Sequence, residues 1–258
     1  MKNQSVTSPE IINHRKSDQT IVQFFLKKVF YKLYYLFLEK KFKRNSYDKH
    51  LNKSWNSINF NRIALVNFLL KNYSNPDYLE IGCASNSLFD SLPILKKTGV
   101  DPCSGGNIRK TSDDFFKENK KNFDVIFIDG LHTYKQIRND IINSLKCIND
   151  NGWIAMHDML PRNWKEQHIP ILTTKAWTGD VWKVAFEIIK TEGLDFKIIS
   201  IDCGVGVIKV NKKNAILRDL SSELADKQFQ YFFENLDKLP ILDWEESIKW
   251  INVNLKNK

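Results

Sequence analysis

The sequence predicts an α/β fold in which helices cover both faces of a mostly parallel sheet. Short apolar runs alternate with amphipathic segments from residue 60 onward, as in parallel sheets with crossover helices. The clearest pair is the apolar run Phe123–Ile128 followed by residues 134–148, where apolar residues recur at a spacing of four. Two later runs, residues 196–201 and Val205–Val210, are separated only by Asp-Cys-Gly and predict a closing antiparallel hairpin.

The other elements are predicted from local composition. Further strands are predicted at residues 78–82, at the segment ending in residues 99–101, and at residues 153–156. Helices are predicted at residues 62–72, 87–95, 111–119, 134–148, 181–190, 221–237 and 243–252. The chain is thereby divided into a basic tail and amphipathic helical arm (1–59), an α/β domain (60–211) and a C-terminal helical extension (212–258).

The N-terminal arm carries most of the net charge. The first 60 residues hold 12 Lys and Arg against 4 Asp and Glu, whereas the whole chain has a formal net charge of +9. Residues 1–19 are expected to be a mobile tail. Residues 22–38 form the most apolar stretch, but Lys27, Lys28 and Lys32 interrupt it and leave no uncharged run long enough to span a bilayer.

Two interpretations of this stretch as a helix stay open. In one, the helix packs on the α/β domain or on a second copy of the chain in a homo-oligomer. In the other, residues 20–45 rest on an anionic membrane surface, helped by the basic run of residues 40–44. Four scattered cysteines without a CxxC pair favour a reduced, cytoplasmic setting without structural zinc, with or without peripheral membrane contact.

Chemically functional side chains follow several of the predicted strands. In open sheets of this kind the ligand lies beyond the carboxyl ends of the strands, near the point where the strand order reverses. The residues found there are Glu80 late in the first strand, Asp101 at the end of the second, Asp129 after Phe123–Ile128, and His157-Asp158 after residues 153–156.

The segment Glu80-Ile81-Gly82-Cys83-Ala84-Ser85 resembles motif I of the class I methyltransferases, in which an acidic residue precedes a glycine turn. Asp101 follows about twenty residues later, where such folds place a carboxylate on the two ribose hydroxyls. This loop has one glycine, with Ala84 and Asn86 where glycines are common, so a plain tight turn with a surface aspartate is the alternative. The resemblance implies S-adenosylmethionine as cofactor, bound by Glu80, Gly82, Cys83, Ser85, Asp101, Ser112, Asp113 and Asp129.

A second resemblance lies downstream, in Phe127-Ile128-Asp129-Gly130-Leu131-His132-Thr133-Tyr134 and His157-Asp158. These segments are similar to motifs of bacterial methyltransferases that carry an IDG-x-H-x-Y segment and a later HD pair. That branch is related to the sugar O-methyltransferases of antibiotic biosynthesis and to the cephalosporin-hydroxylase group. The resemblance covers roughly residues 60–210 and implies a Rossmann-like sheet of seven strands. It also implies methylation of a hydroxyl on a sugar, a surface glycan or a natural product.

The predicted reaction needs a base or a metal ion, because an acceptor hydroxyl reacts only after losing its proton. His132 is the candidate general base beside Asp129, because imidazole titrates near neutral pH; alternatively it caps the next helix or orients Tyr134. The resemblance implies Asp129, His157 and Asp158 as ligands of a divalent ion such as Mg²⁺. In the alternative, Asp158 caps a turn and His157 is a hydrogen-bonded pocket residue.

The connection of residues 159–182 is long for such a fold, and long loops often act as lids or substrate platforms. His157, Trp164 and Trp177 are the candidate acceptor-binding residues, since indole rings can stack on a sugar. Two other functions stay open: an RNA methyltransferase, because the chain is basic, and a non-catalytic, membrane-associated binding module, because the glycine loop is reduced. Nucleic acid is the less favoured partner, because the basic residues lie in the N-terminal arm.

Overall fold

The computed structural model describes residues 21–71, 73–173 and 175–256. Its strands are β1 (Tyr78–Ile81), β2 (Lys97–Val100), β3 (Phe123–Ile128), β4 (Ile148–Met156), β5 (Leu194–Ile199), β6 (Val205–Val210) and β7 (Ile241–Leu242). Its α-helices are α1 (Ile21–Lys41), α2 (Arg62–Leu70), α3 (Ser112–Glu118), α4 (Tyr134–Cys147), α5 (Lys183–Ile188), α6 (Ser221–Leu224), α7 (Phe229–Glu234) and α8 (Trp244–Lys256). The chain divides into two compact units, one ending at Arg44 and one beginning at Asn45.

The second unit is built on one seven-stranded sheet with the strand order β2-β1-β3-β4-β6-β5-β7. The first four strands run parallel to one another, whereas β6 runs antiparallel to both β4 and β5. The chain forms β2 on one side of β1 and then returns to form β3 on its other side. The strand order therefore reverses between β1 and β3, where a ligand site is expected at the carboxyl ends of the strands.

Helices cover both faces of this sheet, as amphipathic crossover segments must. On one face α2 and α8 contribute Leu65, Leu69 and Ile251 to a buried cluster with Tyr78 and Phe127 of the strands. On the other face α4 packs against β3 and β4. Its apolar stripe, with the spacing of four that the sequence shows, is fully or almost fully buried: Ile137, Ile141 and Leu145.

The predicted α/β fold, including the seven strands and the closing hairpin of β5 and β6, is confirmed. One predicted helix is wrong. Residues 87–95 contain only the single 3-10 turn Phe89–Ser91, and the chain is extended at Leu92. Pro93 is the physical reason, because the residue before a proline is driven out of the helical region and proline itself cannot donate a helical hydrogen bond.

The C-terminal segment was predicted to form two helices outside the sheet, and the structure differs from this prediction in two ways. The predicted helix over residues 221–237 is interrupted between α6 and α7, where Gln228 is extended and accepts a hydrogen bond from the side chain of Gln167 at 3.1 Å. The segment then supplies β7, which pairs parallel to β5 at the edge of the sheet. Residues 212–258 are therefore part of the same compact unit as the sheet.

The N-terminal boundary is also displaced, because the unit that contains the sheet begins at Asn45 and not near residue 60. Tyr47 packs its ring against Phe229 and Phe233, with ring centroids 6.2 and 5.8 Å away. The Leu51 N–H donates to the carbonyl of Arg162 at 2.8 Å. These contacts tie residues 45–59 to the sheet unit, so the predicted arm of residues 1–59 is too long.

The first unit contains α1, which confirms the predicted helix over residues 22–38 and extends it to Lys41. The predicted tail, residues 1–19, lies outside the described residues. Within the part of the chain that the structure describes, no helix combines the length and apolar character of a bilayer-spanning segment.

Gly82 allows β1 and β3 to approach each other closely at their carboxyl ends. A Cβ atom built on Gly82 would lie 2.1 Å from the carbonyl oxygen of Asp129, and the glycine has a φ of +83°. Any other residue would clash with this backbone and would also adopt a strained left-handed conformation. Gly130, one residue beyond Asp129, is different, because a Cβ there would meet nothing closer than 3.4 Å.

We expect Gly82→Ala to lower the free energy of unfolding by about 2–4 kcal/mol, because backbone must move to admit the methyl group. Gly130→Ala is the matched control and should change it by less than about 1 kcal/mol. Urea denaturation followed by circular dichroism measures both values. Equal effects of the two substitutions would contradict the close approach at Gly82.

Candidate active site

The turn after β1 has the backbone of a glycine loop although it contains one glycine. Gly82, Ala84 and Asn86 have φ values of +83°, +43° and +64°. Ala84 and Asn86 thus adopt, at a cost, the left-handed conformation in the positions where glycines are common in motif I. Asn86 stabilises the loop by accepting a hydrogen bond from the Gly106 N–H through its side-chain oxygen at 2.7 Å.

Glu80, the acidic residue of this motif, is buried and 2% exposed. Its Oε2 accepts a hydrogen bond from the Tyr78 hydroxyl at 2.7 Å. Burial raises the pKa of Glu80 to about 7, against the lowering effect of the Tyr78 hydrogen bond and with a smaller contribution from the negative charge of Asp129. A carboxyl group with this pKa is partly protonated at neutral pH.

Asp101 directly follows β2 and organises the loop after this strand. Its Oδ1 accepts hydrogen bonds from the N–H groups of Cys103 and Ser104, both at 2.8 Å. Its Oδ2 accepts one from the Ala84 N–H at 3.0 Å, which joins the two loops beside Gly82. Because a carboxylate oxygen can accept two hydrogen bonds, Oδ2 retains capacity for one further donor such as a ribose hydroxyl.

The remaining predicted cofactor residues are divided between the core and the surface. The Cys83 side chain belongs to the buried core cluster, so only its backbone can face a ligand. Ser85 is exposed, and its hydroxyl lies 2.7 Å from that of Ser87. Ser112 and Asp113, at the start of α3, both accept hydrogen bonds at 3.1 Å from the side-chain amide of Gln136 on α4.

A cluster of acids and histidines lies at the carboxyl ends of β3 and β4. The backbone N–H of Asp129 donates to the Ile81 carbonyl, and that of His157 donates to the Ile128 carbonyl. The hydrogen-bonding pattern of the sheet therefore continues for one residue beyond the ends of β3 and β4. The side chains of Asp129, His132, His157 and Asp158 then meet. His132 Nε2 lies 3.3 Å from Asp129, and His132 Nδ1 lies 3.0 Å from Asp158.

His157 lies between the same two carboxylates. Its Nδ1 is 3.4 Å from Asp129 Oδ1 and 3.3 Å from Asp158 Oδ1. Asp158 has a φ of +64°, a left-handed conformation that is uncommon for aspartate and directs its carboxylate into the cluster. Strained residues of this kind concentrate at functional sites, which supports the assignment of this edge of the sheet as the site.

Two further residues of the cluster, Arg62 and Asp202, are absent from the sequence prediction. Arg62 is the first residue of α2, and its Nη1 donates to Asp202 Oδ2 at 2.9 Å and lies 3.1 Å from His157 Nε2. Asp202 follows β5 at the same edge of the sheet, so the rule that functional residues follow strands could have found it. Arg62 lies in no motif and could not be recognised from sequence.

The cluster contains three acidic and three basic side chains that hold one another in charged forms. Burial alone would lower the pKa of His132, but the charges of Asp158 and Asp129 outweigh burial and raise it to about 9. Burial would likewise raise the pKa of Asp129, but His157 and His132 bring it well below its usual value. Asp202 has its pKa lowered to about 2 by His157 and Arg62 despite its burial.

A group of possible metal ligands lies within this cluster. Asp129, His132 and Asp158 each offer one ligand atom, and these atoms lie within 4.8 Å of one another. Two carboxylates and an imidazole are a donor set suited to a divalent transition metal or Mn²⁺, and two carboxylates also suit Mg²⁺. The group contains His132 in place of the predicted ligand His157, which faces Arg62 and Asp202 with its Nε2.

The long connection after Asp158 folds over the cluster through Trp177. The Trp177 ring stacks on the His132 ring with centroids 5.2 Å apart. The backbone carbonyl oxygen of Trp177 lies 3.2 Å from His132 Nδ1. The following residues are fixed by Glu166, whose carbonyl accepts hydrogen bonds from the N–H groups of Thr178 and Gly179 at 2.9 and 3.1 Å. Trp177 is half-buried and therefore forms a partly open wall of the site.

The other predicted acceptor-binding tryptophan is in a different environment. Trp164 is 8% exposed, and its ring meets His168 edge to face at 6.1 Å. It packs within the connection, and the contacts of the described residues do not bring it to the acid–histidine cluster. Of the predicted acceptor residues, His157 and Trp177 thus lie at the cluster and Trp164 does not.

Comparison with known proteins identifies part of the chain. Residues 91–159, which include β3, α4, β4 and Asp158, match the family described as a methyltransferase domain. Comparison with curated protein sequences gives no match.

Solved structures of similar fold include three O-methyltransferases. A putative O-methyltransferase from Klebsiella pneumoniae is 13% identical, with 58% of this chain and 78% of that one covered and a TM-score of 0.43. TomG from Streptomyces achromogenes, in complex with S-adenosylmethionine, is 13% identical over 57% of this chain and 78% of its own, with a TM-score of 0.40. The Bacillus cereus enzyme, with S-adenosylhomocysteine, is 13% identical over 56% and 79%, with a TM-score of 0.39.

The family match is confined to residues 91–159, and the mixed seven-stranded sheet agrees with the Rossmann-like methyltransferase fold that the sequence predicted. The finer branch, with the IDG-x-H-x-Y segment and the HD pair, stays a prediction. The roles of the individual site residues also stay predictions.

The buried carboxyl group of Glu80 should make stability depend on pH. Because folding raises its pKa from 4.5 to about 7, the folded state binds more protons, so stability is lost as pH rises between these values. Glu80→Gln cannot ionise. The free energy of unfolding of Glu80→Gln minus that of the wild type should therefore increase by about 2–3 kcal/mol when the pH is raised from below 4.5 to above 7.

The control for this prediction is Glu245→Gln, at an exposed position of α8. Urea titrations across the pH range, without cofactor, should show a smaller pH-dependent difference from the wild type for this variant than for Glu80→Gln, because its side chain is exposed. A constant difference for Glu80→Gln would show that Glu80 is ionised in the fold without cost.

Proposed function

We propose that this chain transfers the methyl group of S-adenosylmethionine to a hydroxyl oxygen of a sugar or another small hydroxyl compound. The observation that carries the proposal is the meeting of two features where the strand order reverses. One is the tight turn at Gly82, and the other is the cluster of Asp129, His132, His157 and Asp158 beside it.

The residues beside the Gly82 turn fit the cofactor by their chemistry. The bare backbone at Gly82 and the remaining acceptor capacity of Asp101 Oδ2 suit a ribose, and Ser112 and Asp113 supply polar groups for the adenine. When bound, S-adenosylmethionine supplies an electrophilic methyl group on a sulfonium. The chain has to bind it, hold the acceptor in line with the methyl group and exclude water, which is mainly a positioning task.

Trp177 is the proposed platform for the acceptor. Its ring lies against His132 and is half-buried, so one side of the site is flat, apolar and still accessible. An indole face suits the C–H face of a sugar ring as well as another planar group. Its indole Nε1–H donates to the His168 carbonyl at 3.0 Å. The two residues that follow it are held by the Glu166 carbonyl, and the Glu166 carboxylate is held in turn by Arg162 at 2.6 and 2.9 Å.

Asp129, His132 and Asp158 are the residues that would hold a divalent cation. The ion would supply a Lewis acid that lowers the pKa of the acceptor hydroxyl, so that the proton leaves at neutral pH. His157 is then a positioning residue, fixed by Arg62 and Asp202. The alternative is that His132 itself accepts the proton as general base, without a metal. Because its pKa is raised to about 9, only the fraction of the protein with a neutral imidazole could do so at neutral pH.

Cofactor binding tests the proposed function. Isothermal titration with S-adenosylmethionine and S-adenosylhomocysteine should show micromolar binding to the wild type. Asp101→Ala should weaken it by about tenfold or more, because a charge-assisted hydrogen bond is lost. Asp237→Ala, at an exposed position of the C-terminal segment, is the control and should bind as the wild type does. Absence of heat with both ligands in the wild type would refute the function.

Metal binding distinguishes the donor group seen in the structure, which contains His132, from the ligands implied by sequence, which contain His157. Titration with Mn²⁺, followed by electron paramagnetic resonance, should show about tenfold or greater loss of affinity in His132→Ala. His157→Ala should weaken Mn²⁺ binding less than His132→Ala does, because His157 contacts the ligands Asp129 and Asp158 but lies outside the donor group. The reverse order would favour the ligands implied by sequence. Methyl transfer that survives removal of metals by EDTA would favour His132 as the base.

A further inference from the structure

The first unit of the chain carries an uncovered apolar surface on α1. Phe30, Leu33 and Phe37 are 65%, 62% and 63% exposed, although they are among the most apolar residues in the sequence. Three neighbours on the same helix, Val29, Tyr34 and Leu36, are 46–53% exposed. Large apolar side chains exposed together in this way mark an interaction surface.

These six side chains form one face of the helix. At 100° per residue, positions 29, 30, 33, 34, 36 and 37 fall within an arc of about 160°. The opposite arc contains Tyr31, Tyr35 and Leu38, which are half-buried or buried. Among residues 29–38, where side-chain exposure is described, the exposed apolar side chains therefore lie on one side of the helix, which we call the aromatic face of α1.

Basic residues flank and follow the aromatic face. Lys32 lies beside it, and an exposed basic group follows at the end of the helix: Lys40, Lys41, Lys43 and Arg44. Between residues 29 and 44 the sequence contains one acid, Glu39, which at 100° per residue projects beside Lys32 and outside the aromatic face. Five basic residues against one acid leave the surroundings of the apolar face cationic, which is complementary to an anionic, partly apolar partner.

We propose that α1 binds in the plane of an anionic lipid bilayer. The aromatic face enters the boundary between headgroups and acyl chains, and Lys32 and the basic group contact lipid phosphates. The helix does not meet the requirements for spanning the bilayer. A second copy of the chain is the weaker partner, because it would present the same basic group and no acid from this face.

Vesicle flotation of the full chain tests the proposal. The wild type should float with phosphatidylcholine vesicles that contain phosphatidylglycerol. Its partition coefficient for pure phosphatidylcholine should be about tenfold or more lower. Phe30→Glu with Phe37→Glu should reduce partitioning to the anionic vesicles by about tenfold or more, since two apolar anchors become acids. Replacement of the four residues of the basic group by Gln should reduce it by about fivefold per residue.

Leu95→Glu with Ile216→Glu is the matched control, because these two apolar side chains are 97% and 89% exposed in the unit that contains the sheet. This variant should float as the wild type does. Failure of the wild type to float with anionic vesicles would overturn the proposal, as would equal losses in the two double variants. So would a wild-type dimer in light scattering that Phe30→Glu with Phe37→Glu converts to monomer.

Cofactor titration of each variant in the absence of lipid provides the fold control. Phe30→Glu with Phe37→Glu should retain the binding of S-adenosylhomocysteine, because the substitutions lie in the first unit. The membrane proposal and the proposed methyl transfer can therefore fail independently of each other.

Discussion

The close approach of β1 and β3 at Gly82 is the constraint on which the site depends. It brings the turn after β1 against the Asp129 carbonyl, where the order of strands reverses. A side chain at Gly82 would separate the two strand ends and move Asp129 away from the loop that Asp101 organises. The position predicted to bind a nucleoside and the position of the acid–histidine cluster are thus joined by one backbone contact.

The cluster itself is stabilised by balance of charge. Asp129, Asp158 and Asp202 carry negative charges that compensate those of His132, His157 and Arg62 in a half-buried setting. Buried charges are costly unless they are paired, so each member depends on the others. A divalent cation between Asp129 and Asp158 would take over the role that the protonated His132 has in the free protein, and the imidazole could then coordinate as a neutral ligand.

Much of the fold and part of the site could be predicted, because periodicity reports which elements form and parallel sheets collect functional residues at one edge. This reasoning places Glu80, Asp101, Asp129 and Asp158 at that edge, and their roles in the site stay predictions. Arg62 could not be, since its role depends on where α2 begins relative to the turn after β5. The choice between His132 and His157 as a ligand depends on the directions of side chains, and β7 is too short to show a period.

The position of β7 has a consequence for how the protein is made. This two-residue strand comes late in the chain yet pairs with β5 on the outer edge of the sheet. During synthesis on the ribosome, the backbone groups on that side of β5 have no partner in the sheet until residue 242 has emerged. An open strand edge can pair with other nascent chains, so the late emergence of β7 prolongs the time during which this edge of β5 is exposed to aggregation.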